Sequence, residues 1–213
     1  MRMLSTYSRL LCKLTAVLAA LCLTQIASAE ADAERGKMLA DTCKGCHAVD
    51  SYNNVYPTYH VPKVAGQNAG YLVSALTLYR DGARLHPTMV AQAASLSDQD
   101  IQDIAAYMAA SGGQSATPES APEIAQGSMP DAGQVCAACH GQTGISPIPT
   151  NPNLAGQHAD YLEQAMAQYK RGDRKGPNAI VMQAQLMAVS DEDLAAISAY
   201  YAGQSGLNTL LKD

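Results

Sequence analysis

From Asp98 onward, Ile101, Ile104, Ala105 and Met108 recur at intervals of three and four residues, with polar residues between them. That period places them on one face of an amphipathic helix. Farther along, Leu194, Ile197, Ala199 and Tyr201 make a broader, less regular stripe. Ser97 and Ser190 stand just before these stripes, each with an aspartate three residues later, which predicts a capping-box-like helix start. Shorter helices are expected over Tyr71 to Tyr79 and Tyr161 to Tyr169, and another over Glu30 to Cys43. The counterpart of the last of these, before Cys136, is broken by Gly127, Pro130 and Gly133, which makes it a less regular helix. No stretch alternates convincingly as a strand, and the expected fold class is all-α.

The chain repeats itself. Pro62-Lys63-Val64-Ala65-Gly66-Gln67 reads against Pro152-Asn153-Leu154-Ala155-Gly156-Gln157, and both run on to a Tyr-Leu pair. Tyr79-Arg80-Asp81-Gly82-Ala83-Arg84 matches Tyr169-Lys170-Arg171-Gly172-Asp173-Arg174, at the same offset of 90 residues. The helix-start segments at Ser97 and Ser190 are offset by 93. The pattern predicts two tandem domains of one type, over 30–110 and 124–213. Between them 111–123, rich in Gly, Ser, Ala and Pro, reads as an exposed linker.

Residues 1–29 read as a secretory signal peptide rather than fold. Arg2, Arg9 and Lys13 form a basic start, Leu14 to Ile26 is mostly apolar, and Ala27-Ser28-Ala29 offers small residues for cleavage. The apolar run is short for a permanent span, and bulky Leu21 before Cys22 argues against a lipoprotein signal. Cleavage would remove three of the 14 basic residues and none of the 19 acidic ones, taking the formal charge from −5 to −8. An acidic surface argues against nucleic acid as a partner and for a basic patch on a protein. The chain has no Trp and no Phe, so Tyr, Met and a bulky cofactor would have to fill two small cores.

Four cysteines remain after cleavage, in Cys43-Lys44-Gly45-Cys46-His47 and Cys136-Ala137-Ala138-Cys139-His140. Both are C-x-x-C-H, the attachment motif of c-type haem. Two thiols at that spacing reach the two vinyl groups of one porphyrin, and the next residue brings an imidazole to the iron. Disulfides, zinc or a thiol redox pair would not require His at that position, which here holds it in both motifs. The expectation is two covalently bound haem c groups, on Cys43 and Cys46 and on Cys136 and Cys139, with His47 and His140 as proximal ligands.

For the sixth ligand, Met89 and Met182 each lie eight residues before the helix-start serine. They are the only methionines in register in the loop before the last helix. A thioether there favours ferrous iron and raises the potential. Alternatives remain in the sequence: His86 or His60 for the first haem, and Met187 for the second. Met108, Met166 and Met187 otherwise read as core filler, and His158 as a surface residue at a helix start. Tyr52 to His60 has no counterpart in the second copy. It reads as a longer loop over one haem edge, with phenols for a propionate, or as a patch for a partner.

These motifs together resemble the cytochrome c4 family of periplasmic dihaem carriers. The resemblance runs over essentially the whole mature chain, through both C-x-x-C-H motifs, both Pro-x-(Val/Leu)-Ala-Gly-Gln segments and both Met-x7-Ser-Asp segments. It implies two class I cytochrome c domains about a pseudo-twofold axis, with Met89 and Met182 as distal ligands. The Tyr52–His60 stretch and the irregular approach to Cys136 depart from it. The expected function is a periplasmic single-electron carrier of a respiratory chain, not an enzyme. A quinol-oxidising complex or a dehydrogenase would be donor and a terminal oxidase acceptor, and a loose membrane association is compatible. The rivals are a haem subunit of a periplasmic dehydrogenase and, further off, a dihaem peroxidase or gas sensor. Unequal loops beside the two haems predict unequal potentials.

Overall fold

The computed structural model describes residues 30–49, 51–112 and 128–210. The expected signal peptide and most of the expected linker lie outside the described residues.

Helix α1, Ala33–Leu39, starts where the Asp32 carboxylate accepts the backbone N–H groups of Glu34 and Arg35, a side-chain N-cap. The single helix expected up to Cys43 is in fact two. Ala40 is fully buried and leaves helical geometry (φ −79°, ψ 4°), and α2, Asp41–His47, follows it. The first half continues with α3 (Ala69–Arg80), α4 (Pro87–Ala93) and α5 (Asp98–Ala110). The capping box at Ser97 and Asp100 forms as expected. Ile101, Ile104, Ala105 and Met108 turn inward onto Ala65, Leu72 and Leu76.

Helices α1 and α5 cross at Gly36, where a Cβ would fall 1.9 Å from the Asp103 carbonyl oxygen. Asp103, only 1% exposed, accepts the Asp32 N–H at 2.9 Å and the Gln99 amide at 2.8 Å, and is bridged by Arg35. A buried carboxylate needs that many donors.

Among its described residues the second half repeats the plan without α1. A short 3₁₀ turn, Asp131–Gly133, leads into α6, Gln134–His140. The buried side chain of Met129 joins the core there. Then come α7 (Ala159–Lys170), α8 (Ala179–Leu186) and α9 (Asp191–Ala202), the last capped by Ser190. On α9 the buried face is Leu194, Ile197, Ser198, Tyr200 and Tyr201. Ala199, expected inside, is exposed, since residues three and four after Leu194 share its side of the helix and Ala199 does not.

Two strands correct the expectation of none. β1 (Asn53–Val55) and β2 (Thr58–His60) form an antiparallel hairpin with Asn54 opposite Tyr59. Three residues per strand are too few to show alternation in sequence.

The halves pack about a pseudo-twofold axis, and its signature is a set of paired hydrogen bonds. Gln157 accepts the Lys63 N–H at 2.9 Å and donates to the Lys63 carbonyl at 2.9 Å. Gln67 does the same to Asn153, at 2.7 and 3.0 Å. Lys63 Nζ reaches the Gly156 carbonyl, and Asn153 Nδ2 reaches that of Gly66. Gly66 and Gly156 take φ of +81° and +72°. That left-handed turn suits glycine and aims each N–H at the last helix of its half, on Met108 and Tyr201.

The C-terminal tail then crosses over. Asn208 pairs with Ala65, and the Leu210 N–H donates to the His47 carbonyl at 2.9 Å. Leu210, 2% exposed, joins the core of the first half. Among the described residues no helix is long and apolar enough to cross a membrane.

Candidate functional site

Each C-x-x-C-H motif occupies a short helix, α2 or α6, so its two thiols project about one turn apart. Cys43, Cys46, Cys136 and Cys139 form no disulfide with one another. Burial pushes the Cys43 and Cys136 thiols up. Among the described residues no cluster of His, Cys, Asp or Glu could hold a metal ion, which leaves the zinc reading without a donor set.

The two histidines are held alike. His47 Nδ1 is 2.7 Å from the Pro62 carbonyl, and His140 Nδ1 is 3.0 Å from that of Pro152. A carbonyl only accepts, so Nδ1 carries the proton and Nε2 keeps a free lone pair. Burial pushes both imidazoles down in pKa, only partly offset by these bonds. Each is therefore a neutral ring with one oriented nitrogen, as metal-ligating histidines are held by their outer partners.

Met89 and Met182 are half-buried. Met89 and Cys43 both pack against the first core, and Met182 and Cys136 both pack against the second. Both lie in short helices, α4 and α8, not in the loop expected. Fold pairing thus brings each methionine to the core of its own C-x-x-C-H motif. Met108 is buried and Met166 half-buried in these cores, whereas Met187 is 63% exposed and fills no core.

The histidine rivals have other work. His86 Nδ1 accepts the Met89 N–H at 3.3 Å, and its Nε2 pairs with Asn54 Oδ1 at 3.1 Å. Burial, then the nearby Arg84, push its pKa down. His60 contacts Asp160 through Nδ1 at 2.7 Å, and its ring stacks on His158 at 4.6 Å. His158 occupies the N-cap position of α7, as expected. The Tyr52–His60 segment is a hairpin packed on α7 rather than a loop. Tyr59 is buried near Tyr161, while Tyr52 and Tyr56 face solvent.

One constellation escaped sequence reasoning. Arg84 and Arg174 meet as an antiparallel backbone bridge between the halves, and each is 7% exposed. Arg84 donates to the hydroxyls of Tyr71 and Tyr161, at 3.3 and 3.0 Å, and lies over the Tyr79 ring. Arg174 lies over Tyr169 and donates to Gln168. Neither has a carboxylate partner among the described residues. Burial opposes ionisation of the Tyr161 phenol, yet the two guanidinium groups overcome it and bring the pKa down to about 7. The Arg residues end the repeated Tyr-x-x-Gly-x-Arg segment, and that repetition was the only signal of them in the sequence.

Two buried cations without a carboxylate call for anions. Two haem groups carry four propionates, so this cluster, the four cysteines and the two oriented imidazoles fit that cofactor.

Comparison with known proteins agrees. The cytochrome c family matches residues 33–111 and 132–203. Cytochrome c4 of Pseudomonas aeruginosa is 33% identical over 199 residues, covering 89% of this chain and 97% of that protein. A thiosulfate dehydrogenase electron acceptor of Stutzerimonas stutzeri is 31% identical over 176 residues, 76% of this chain and 79% of its own. The crystal structure of reduced cytochrome c4 from Pseudomonas stutzeri superposes with a TM-score of 0.61 at 31% identity, over 82% of this chain and 99% of that one. A thiosulfate dehydrogenase from Marichromatium purpuratum also gives a TM-score of 0.61, at 28% identity, over 80% of this chain and 40% of its own. With two class I domains and two covalently bound haem c groups, this chain belongs to the cytochrome c4 family of dihaem electron-transfer cytochromes.

Proposed function

We propose that the protein is a periplasmic single-electron carrier of a respiratory chain, with His/Met ligation at both irons, and not an enzyme. Cys43 and Cys46 would hold the first haem, with His47 and Met89 as axial ligands. Cys136 and Cys139 would hold the second, with His140 and Met182. Arg84 and Arg174, with the Tyr71 and Tyr161 hydroxyls, would receive propionates between the halves. When bound, the haem iron supplies the one-electron redox couple. The chain's part is to orient each imidazole through a proline carbonyl, to place a thioether on the same core, and to exclude water. The carrying observation is the paired arrangement, in which each C-x-x-C-H motif shares a core with one methionine in register.

An optical spectrum of the dithionite-reduced protein, with and without carbon monoxide, tests this. Six-coordinate carriers give a low-spin spectrum that carbon monoxide leaves unchanged. Ready binding of carbon monoxide by the wild type would favour an enzyme or a gas sensor instead.

A second reading has its own support. Both the relative named as the electron acceptor of a thiosulfate dehydrogenase and the thiosulfate dehydrogenase structure match most of this chain. The protein would then take electrons directly from a periplasmic dehydrogenase. Co-purification with such an enzyme separates this role from that of a free carrier.

A further inference from the structure

The Asn53–His60 hairpin belongs to the first half only, yet it is anchored on the second. Asp160 on α7 accepts both the His60 backbone N–H, at 3.0 Å, and the His60 ring N–H, at 2.7 Å. Next to it, Tyr59 is 6% exposed and lies 6.3 Å from the Tyr161 ring. Across the hairpin from Tyr59 is Asn54, whose side-chain amide also bonds the Tyr59 carbonyl at 3.4 Å. Asn54 Oδ1 is the partner of His86 Nε2, and His86 Nδ1 accepts the N–H of Met89 itself. These contacts form an unbroken series from Asp160 to the backbone of Met89.

No equivalent series reaches Met182 among the described residues. The residue in register with Asp160 is Gly70, and the residue three before Met182 is Ala179, where three before Met89 stands His86. Helix α8 starts after Asn178 with no side-chain cap bond. No strand lies among the described residues of the second half.

We propose that the hairpin is a clasp by which the second half, through Asp160, His60, Asn54 and His86, holds Met89 in its ligating position on the first haem alone. The inference rests on Met89 being the distal ligand. His86 and Asn54 are positioning residues. The imidazole fixes the first turn of α4, and Asn54 fixes the imidazole's tautomer and orientation. A short helix with a secured N-terminus frays less than one without, so the thioether leaves the iron less often.

The test uses the full-length holoprotein with Met89→Ala, His86→Ala, Asn54→Ala and Asp160→Ala. The ferric protein is read for the weak far-red band of thioether-ligated haem, and the ferrous protein for carbon monoxide binding. Met89→Ala should remove half of the band. His86→Ala should open one haem of the two to carbon monoxide. Asn54→Ala and Asp160→Ala should do so more weakly and shift one potential only, with His86→Asn, which retains a cap, restoring most of the band. If Met89→Ala leaves the band intact, the ligand assignment itself fails. If Met89→Ala halves the band while Asn54→Ala and Asp160→Ala leave both haems unchanged, or alter both equally, the clasp is overturned and the ligand assignment stands. The Asp160 side chain is 41% exposed, so its variant tests the clasp even if His86→Ala folds poorly.

Discussion

Ser198 is fully buried on α9, and its hydroxyl has no hydrogen-bond partner among the described residues. In the first half the residue in register is Ala105, also fully buried. A buried hydroxyl that exchanges water for nothing costs about 1–3 kcal/mol, whereas the methyl of alanine fits the same space. Ser198→Ala should therefore leave stability unchanged or raise it by about 1 kcal/mol. Thermal unfolding of the holoprotein checks this, and a marked loss would reveal an interaction of the hydroxyl. Single residues also show where local reading worked. Ser97 and Ser190 cap the helices expected of them, since a cap depends on residues within one turn. Ala199 was misplaced because it lies five residues after Leu194, off the face that steps of three and four mark.

Between elements, the α1–α5 crossing is the tightest contact. A Cβ at Gly36 would meet backbone, which no rotamer relieves, so one helix would have to move. Gly36→Ala should cost on the order of 1–3 kcal/mol, measurable as a lower unfolding midpoint. The crossing also sets the acid limit. Bonds from Ser97, then the Arg35 guanidinium, hold the Asp100 carboxyl down to about 2. The Asp32 N–H and Arg35 lower Asp103 against the effect of its burial. Both groups are depressed in the folded state, so their stabilisation is complete above the unfolded value of about 4. It is lost as pH falls toward the folded value. A pH titration followed by circular dichroism should show stability falling between about pH 4 and 2, and Asp100→Asn should flatten that limb. The hairpin was illegible at this scale. Its three-residue strands are held by Asp160, one hundred residues away.

Over the whole molecule, the halves depend on each other unequally. Leu210 leaves the second half to complete the core of the first, and its N–H bonds the His47 carbonyl. Leu210→Ala should destabilise the first half by about 2–3 kcal/mol, as for a buried core leucine. A first haem that becomes accessible to carbon monoxide or unfolds earlier, with the second unchanged, is the expected result. The clasp and the tail both act on the first half, so the two haems have different surroundings. A redox titration should resolve two steps, and a single shared step would contradict this.

What the sequence determined by itself was the chemistry carried by neighbours in the chain. The C-x-x-C-H spacing specifies covalent haem, because both thiols and the imidazole sit within five residues of one another. The periodic stripes specify helices, and the internal repeat specifies two domains and puts one methionine in register with each motif. The tertiary structure alone decided how the halves meet. The Arg84–Arg174 pair, the reciprocal Gln67 and Gln157 bonds, the crossing of Leu210 and the hairpin's hold on Asp160 all join residues 86 to 163 positions apart. Such contacts leave no period or spacing in a sequence, because they arise only when two folded surfaces are brought together and their buried polar groups must find partners.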